Sequence, residues 1–344
     1  MTAAIRPPAL RYGGRIALVT PAWPGPHTLP TPYRRGVAAL RQAGYRPVPM
    51  PHTAGRRNDW TSGTARQRAA DINRAFADPT IDAVLCTIGG DHSVQVLPHI
   101  DFAAVAANPK PFCGYSDVTV LHHGIHTETG LVTFYGPALI PQWGTVGGPL
   151  PYTVRHFVQV IDSGFTGPVP TCGEEVDDLD FARCERLGRP PRRRRAAPRL
   201  ILRAGSGRGP LLAACLPSAR AILATQWQPD YAGRVLVLDI PAAPYSLAEA
   251  DADLTHLRLA GCLDELAALL LCRTRGFPDA HVRALHDLVL DHTAGRTYPV
   301  LARVEGGHSD PMPTWPIGVT ATVDGDTVVI LDVGVTARQP GGAG

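Results

Sequence analysis

Between residues 15 and 140 the chain alternates short apolar runs with amphipathic helical stretches, and this alternation narrows the possible architectures to one kind. Strands that are almost continuously apolar are buried on both faces, and the helical stretches between them supply crossovers, so a parallel sheet wrapped by helices is expected. Residues 16–20 read as the first strand. Residues 33–43 follow as a helix stopped by Gly44, and residues 64–76 as a second, with Ala69, Ile72 and Phe76 at helical spacing. The strand over 81–86 runs into Thr87-Ile88-Gly89-Gly90-Asp91. A further strand over 111–114 runs into Tyr115-Ser116-Asp117 before a helix over 118–126, and residues 131–135 resume a strand ending in Gly136-Pro137. In open α/β sheets ligands gather at the carboxyl ends of strands, which directs attention to Gly89, Gly90, Asp91 and Ser116.

From about residue 164 to 209 the periodicity dissolves into Pro, Gly, an acidic stretch (Glu174, Glu175, Asp177, Asp178, Asp180) and the run Arg192 to Arg195. That segment reads as a linker or mobile loop. Beyond it come strands over 234–238 and 269–272, helices over 248–260 and 279–292, and terminal strands including 327–331. The expected fold is α/β: an N-terminal parallel-sheet domain over residues 1–163 with the nucleophile elbow, a linker over 164–209, and a smaller mixed α+β C-terminal domain over 210–344. The active site is expected between the two domains. A chain of 344 residues, 44% hydrophobic, can fill two such cores.

Charge and cysteine usage exclude several function classes. The net charge of +3 is small, and its basic surplus is local, around Arg183, Arg186, Arg189 and the run Arg192 to Arg195, so no nucleic-acid-binding face is expected. The run itself reads either as a solvated loop or as a seat for an anionic substrate. The seven cysteines are odd in number and form no CxxC pair, which suggests neither a disulfide framework nor a zinc site and fits a reducing cytosol. No cofactor and no metal are implied. The N-terminus lacks an apolar signal core and no run of about 18 apolar residues occurs, so a soluble cytoplasmic protein with no membrane partner is expected.

Four segments carry potential chemistry. A serine at a sharp strand-to-helix turn presents its hydroxyl to solvent while the following amides point at a developing oxyanion, the context of Gly114-Tyr115-Ser116-Asp117; the same pattern also fits a helix N-cap. Gly89-Gly90 reads as a further amide donor or as a plain tight turn. His308, in the glycine-rich loop Glu305-Gly306-Gly307-His308-Ser309-Asp310-Pro311, offers an imidazole for general-base work. Asp239 ends the strand Val235-Leu236-Val237-Leu238, where its carboxylate either orients that imidazole or serves a turn.

Taken together these segments resemble the LD-carboxypeptidase family of serine peptidases, and its microcin C immunity branch more than its murein-trimming branch. The resemblance rests on Thr87-Ile88-Gly89-Gly90, Leu97-Pro98-His99-Ile100-Asp101, the stretch from Pro109 through Cys113-Gly114-Tyr115-Ser116-Asp117 to His122, Tyr135-Gly136-Pro137-Ala138, Gly307-His308-Ser309-Asp310-Pro311-Met312 and Pro316-Ile317-Gly318. It implies Ser116 as nucleophile, His308 as general base, the amides of Gly90 and Asp117 as oxyanion donors, and a metal-independent homodimer. Asp239 stands where the family has a catalytic glutamate, one methylene longer. The resemblance also places Gly89, Asp91, Phe181, Ala214 and Cys215 at the substrate, Phe181 near the position where the immunity branch stacks a tryptophan on a nucleobase. Ala213-Ala214 replaces the usual Gly-Gly, adding methyl groups where backbone would approach the substrate. The implied activity is a serine peptidase or amidase that hydrolyses a C-terminal amide of a small peptide, a peptidyl-nucleotide antibiotic or a muropeptide through an acyl-enzyme. The alternative, argued from Asp239 and Ala213-Ala214, is a family member that binds a metabolite or does non-hydrolytic chemistry.

Overall fold

The structure is a computed structural model that describes residues 4–176, 181–242 and 244–337. Five strands, β1 (Arg15–Val19), β2 (Arg46–Pro49), β3 (Ala83–Cys86), β4 (Phe112–Gly114) and β5 (Thr133–Tyr135), run parallel in the order β5-β4-β3-β1-β2. Helices α1 (Gly25–Thr28), α2 (Pro30–Gln42), α3 (Ala65–Ala77), α4 (Phe102–Ala107) and α5 (Thr119–Thr129) provide the connections. Side chains alternate across a strand, and both faces are covered: Ile16 and Leu18 of β1 join Leu85 in one apolar cluster, while Ala17 and Val19 join Val84 and Cys86 in another. This two-sided burial is why the strand sequences are continuous in apolar residues. Local signals set the helix ends: Thr64 and Gln67 form a reciprocal capping box at α3, and Gly44 adopts φ 90° just beyond α2.

The second half contains α6 (Pro151–Val158), β6 (Gly167–Pro168), β7 (Glu174–Val176), α7 (Phe181–Leu187), β8 (Arg193–Arg195), β9 (Leu200–Arg203), β10 (Ser206–Cys215), α8 (Leu216–Ala221), β11 (Val235–Asp239), α9 (Leu247–Leu259), β12 (Ala268–Cys272), α10 (Asp279–His292), β13 (Val300–Val304), β14 (Trp315–Ile317), β15 (Thr320–Asp324) and β16 (Thr327–Ile330). Its sheet is ordered β6-β16-β15-β10-β11-β12-β13-β9, with a parallel centre from β10 to β13 and antiparallel flanks.

Three features depart from the sequence expectations. First, the segment 164–209 contains short strands: β6 and β9 form the two edges of the second sheet, and β7 pairs with β8. Few of its residues are apolar, so no hydrophobic period marks it; ion pairs join its strands instead, Glu174 to Arg193 at 3.6 Å and Glu175 to Arg194 at 2.7 Å. The arginine run is thus partly a strand facing acids, while Asp177, Asp178 and Asp180 lie outside the described residues. Second, β14 leaves the second half and pairs antiparallel with β5, so the first sheet is completed by residues far downstream. Third, Leu211 to Cys215, the segment of the Ala213-Ala214 pair, is the inner end of β10, in register with β11.

Beneath the histidine loop, Glu305 is fully buried between Arg199 at 2.7 Å and Arg273 at 3.1 Å, and it accepts the Cys172 amide at 3.1 Å. These contacts fix the point where β13 ends and the loop toward His308 begins.

Candidate active site

Strand β4 delivers the chain to Ser116, which sits at φ 65°, a left-handed conformation that a residue with a Cβ adopts at a cost of order 1–3 kcal/mol. Two hydrogen bonds hold it there. Its amide donates to the Tyr135 hydroxyl at 3.2 Å, and its carbonyl accepts from Thr119 Oγ1 at 2.7 Å. Thr119 Oγ1 in turn accepts the Cys215 amide at 2.9 Å, joining this turn to β10 of the second sheet.

The loop after β3 packs on the same turn. A Cβ on Gly89 would lie 3.0 Å from Ser116 Cβ and 3.3 Å from the Asp117 amide nitrogen, so only glycine fits without displacement. Gly90 adopts φ 148° beside Ala22 and Trp23. The buried Asp117 carboxylate anchors this loop by accepting the amides of His92 at 3.0 Å and Ser93 at 2.8 Å; burial raises its pKa, with those bonds opposing the rise. The side chain after the serine therefore shapes the glycine loop.

Asp239, the last residue of β11, is fully buried. Its Oδ1 accepts the His308 amide at 3.0 Å, and its Oδ2 accepts the Tyr135 hydroxyl at 2.7 Å and pairs with His308 Nδ1 at 2.9 Å. On the other side of the ring, His308 Nε2 lies 3.1 Å from Ser116 Oγ. Carboxylate, imidazole and hydroxyl thus form one continuous chain, with the ring only slightly exposed and Tyr115 edge-on to it at 5.2 Å between centroids. Such a chain can pass the serine proton to the imidazole while the carboxylate fixes the tautomer and stabilises the imidazolium.

The expected substrate-contacting residues divide. Gly89 lies over Ser116, and Asp91 is exposed on the same loop. Ala214 is wholly enclosed within β10, opposite Leu238, because both faces of that strand are covered, and its methyl is not exposed. Cys215 is also buried, in register with Asp239, and its thiol faces inward; donor atoms of Cys215, Asp239 and His308 all lie within 4.8 Å of one another. Burial and the neighbouring Asp239 raise the Cys215 pKa well above the ordinary thiol range, which keeps it neutral. Phe181 opens α7, and its side chain lies outside the described residues.

Two residues not singled out from sequence belong to the site. Tyr135 was visible only as the start of Tyr-Gly-Pro; its place at the end of β5, opposite Gly114 of β4, is a property of strand order. Asp310 is buried two residues beyond His308, accepts a 3.3 Å hydrogen bond from Gln142, and has its pKa raised to about 6, chiefly by burial, with Arg275 opposing. It borders a small surface pocket together with Gln142, Thr153, Val176 and Arg193.

This arrangement can be set against known proteins. The profile of the LD-carboxypeptidase N-terminal domain matches residues 16–136, and that of the LD-carboxypeptidase C-terminal domain matches residues 208–323. The microcin C7 self-immunity protein of Escherichia coli is 30% identical over 319 residues, covering 92% of each chain. A Bacillus subtilis protein named as a probable murein peptide carboxypeptidase is 28% identical over 338 residues, covering 96% of this chain and 95% of that one. Among solved structures, the wild-type microcin C7 self-immunity protein without ligand superposes with a TM-score of 0.88 at 27% identity, over 96% of this chain and all of the other. The same protein in complex with aspartyl sulfamoyl adenosine gives 0.89 at the same identity and coverage. With both of its domains matched and a relative 30% identical over 92% of each chain, this chain belongs to the LD-carboxypeptidase family.

Proposed function

We propose that the protein is a serine peptidase or amidase that hydrolyses a C-terminal amide bond of a small peptide-like molecule, with Ser116 as nucleophile, His308 as general base and acid, and Asp239 orienting the imidazole. The observation that carries this reading is the unbroken chain from Asp239 Oδ2 to His308 Nδ1 at 2.9 Å and from His308 Nε2 to Ser116 Oγ at 3.1 Å. Attack of Oγ on the carbonyl carbon transfers its proton to Nε2 as the tetrahedral oxyanion forms, and the Gly90 and Asp117 amides are the donors assigned to that oxyanion. Collapse expels the amine, which takes the proton from His308 and leaves an acyl-enzyme on Ser116. Water, deprotonated by His308, then releases the acid.

The substrate class is drawn from the relatives: a peptidyl-nucleotide, as the complexes of the immunity protein with aspartyl sulfamoyl adenosine suggest, or a muropeptide, as the Bacillus subtilis name suggests. A cytoplasmic homodimer is part of the same reading; no helix among the described residues is long and apolar enough to cross a membrane, and light scattering tests the oligomer. A non-hydrolytic binder is disfavoured because the carboxylate of Asp239 does reach the imidazole and the alanine pair is enclosed within β10.

The test is intact mass after incubation with a fluorophosphonate probe. One adduct on the native protein and none on Ser116→Ala is the expected result, followed by turnover of an aminoacyl sulfamoyl nucleoside or a tetrapeptide amide. A native protein that stays unlabelled under conditions that label a control serine peptidase overturns the hydrolase reading.

A further inference from the structure

Tyr135 has no place in a three-residue account of the site, yet it touches two of its parts. It is buried at the end of β5, one strand from the segment that carries Ser116. Its hydroxyl accepts the Ser116 amide at 3.2 Å and donates to Asp239 Oδ2 at 2.7 Å, spanning the two sheets with one oxygen. Burial first, and then the Asp239 charge, raise its pKa well above the ordinary range of a phenol, so it remains an O–H donor at any pH the protein meets.

We propose that Tyr135 is a positioning residue that couples the strained backbone of the nucleophile to the carboxylate behind the histidine, a role that rests on the reading of Ser116, His308 and Asp239 as a working unit. Two consequences follow from the geometry. The Ser116 amide, at φ 65°, is bound inward to Tyr135 and is not free to serve an oxyanion, which leaves that task to the amides beyond it and in the glycine loop. The Asp239 carboxylate is held by three donors from two directions, His308 amide, His308 Nδ1 and Tyr135 hydroxyl, so it cannot rotate away from the ring without breaking the tyrosine bond. A carboxylate one methylene shorter than glutamate has fewer torsions, and the tyrosine fixes the ones that remain.

The experiment is Tyr135→Phe, which keeps the ring and removes only the oxygen. A hydrogen bond to a charged group predicts fluorophosphonate labelling slowed about ten- to a hundredfold. Because the effect passes through the carboxylate, it should be nearly absent when the change is made in an Asp239→Asn background, where a merely structural role would add in full. The downfield proton resonance of the His308 Nδ1 to Asp239 bond should also shift in Tyr135→Phe, a readout that needs no turnover. Labelling at the native rate, or a full additive loss in the Asp239→Asn background, overturns the proposal. Should the native protein not label at all, the hydrolase reading fails, and the resonance alone decides: a shift supports the role of Tyr135, and an unmoved signal overturns it.

Discussion

Gly307 lies directly against the carboxylate of Asp239: a Cβ placed on it would fall 2.1 Å from Oδ1. The histidine loop descends onto the acid at this point, and the His308 amide donates to the same oxygen at 3.0 Å. Gly307 also stands at φ 68°, so a side chain there is opposed by conformation as well as by space.

That contact makes the acid and the loop a matched pair. In Asp239→Glu an added methylene has to fit a fully buried position already closed by Gly307, Tyr135 and Cys215. Overpacking of this kind displaces the carboxylate by about 1 Å and lowers the labelling rate on the order of a hundredfold. Gly307→Ala is expected to lose labelling too and to unfold at lower denaturant. Faster labelling in Asp239→Glu than in the native protein would show instead that the short arm limits the site.

Ser116 gives a second measurement that separates conformation from chemistry. Because φ 65° burdens any residue with a Cβ, Ser116→Gly should be more stable than Ser116→Ala by about 1 kcal/mol, although neither can be labelled. Urea midpoints of the two variants decide the matter, and equal midpoints would mean that the turn relaxes when the serine is lost.

Much of this was legible in the residues because the strands around the site are buried on both faces. Runs such as Ile16 to Val19 and Ala83 to Cys86 carry their own signal, and the segments with Ser116 and Asp239 are short motifs at the ends of such runs. What was not legible depends on contacts between distant residues. Tyr135 comes beside Ser116 through strand order, Asp239 meets Gly307 through loop descent, and β14 returns to the first sheet through a crossover. The segment from 164 to 209 hid its strands because ion pairs and a buried arginine, Arg199, stand where apolar periodicity would have marked them. The methyl groups of Ala213-Ala214 were expected toward the substrate only because the family's glycine pair was the point of comparison; in this chain the alanines complete a buried strand.

Asp310 links the site to pH. Its folded pKa stands at about 6 against an ordinary 3.8, raised by burial and opposed by Arg275, Gln142 and His308. Between those values the unfolded chain has released this proton while the folded chain keeps it. Stability therefore falls as pH rises through the window from about 4 to 6 and is level above it, by at most about 3 kcal/mol. Asp310→Asn removes this dependence. The variant should equal the native protein near pH 4 and exceed its stability at pH 7.5, as read from urea unfolding at the two pH values; a gap that does not change with pH would rule out Asp310 as its source.

Glu305 provides the last test, because it joins the stability of the fold to the position of His308. Its carboxylate is wholly enclosed between Arg199 and Arg273, two guanidinium groups that are themselves buried. Removing one member of such a cluster leaves uncompensated buried charge, and Glu305→Gln should lower unfolding stability by about 3–5 kcal/mol. Gly306 and Gly307 follow it immediately, so slackening this anchor also frees the loop that presses on Asp239. Labelling should then fall at temperatures well below the unfolding transition. If the variant loses stability yet labels at the native rate there, the loop is held by Asp239 and its hydrogen bond to the His308 amide rather than by the ion cluster beneath it.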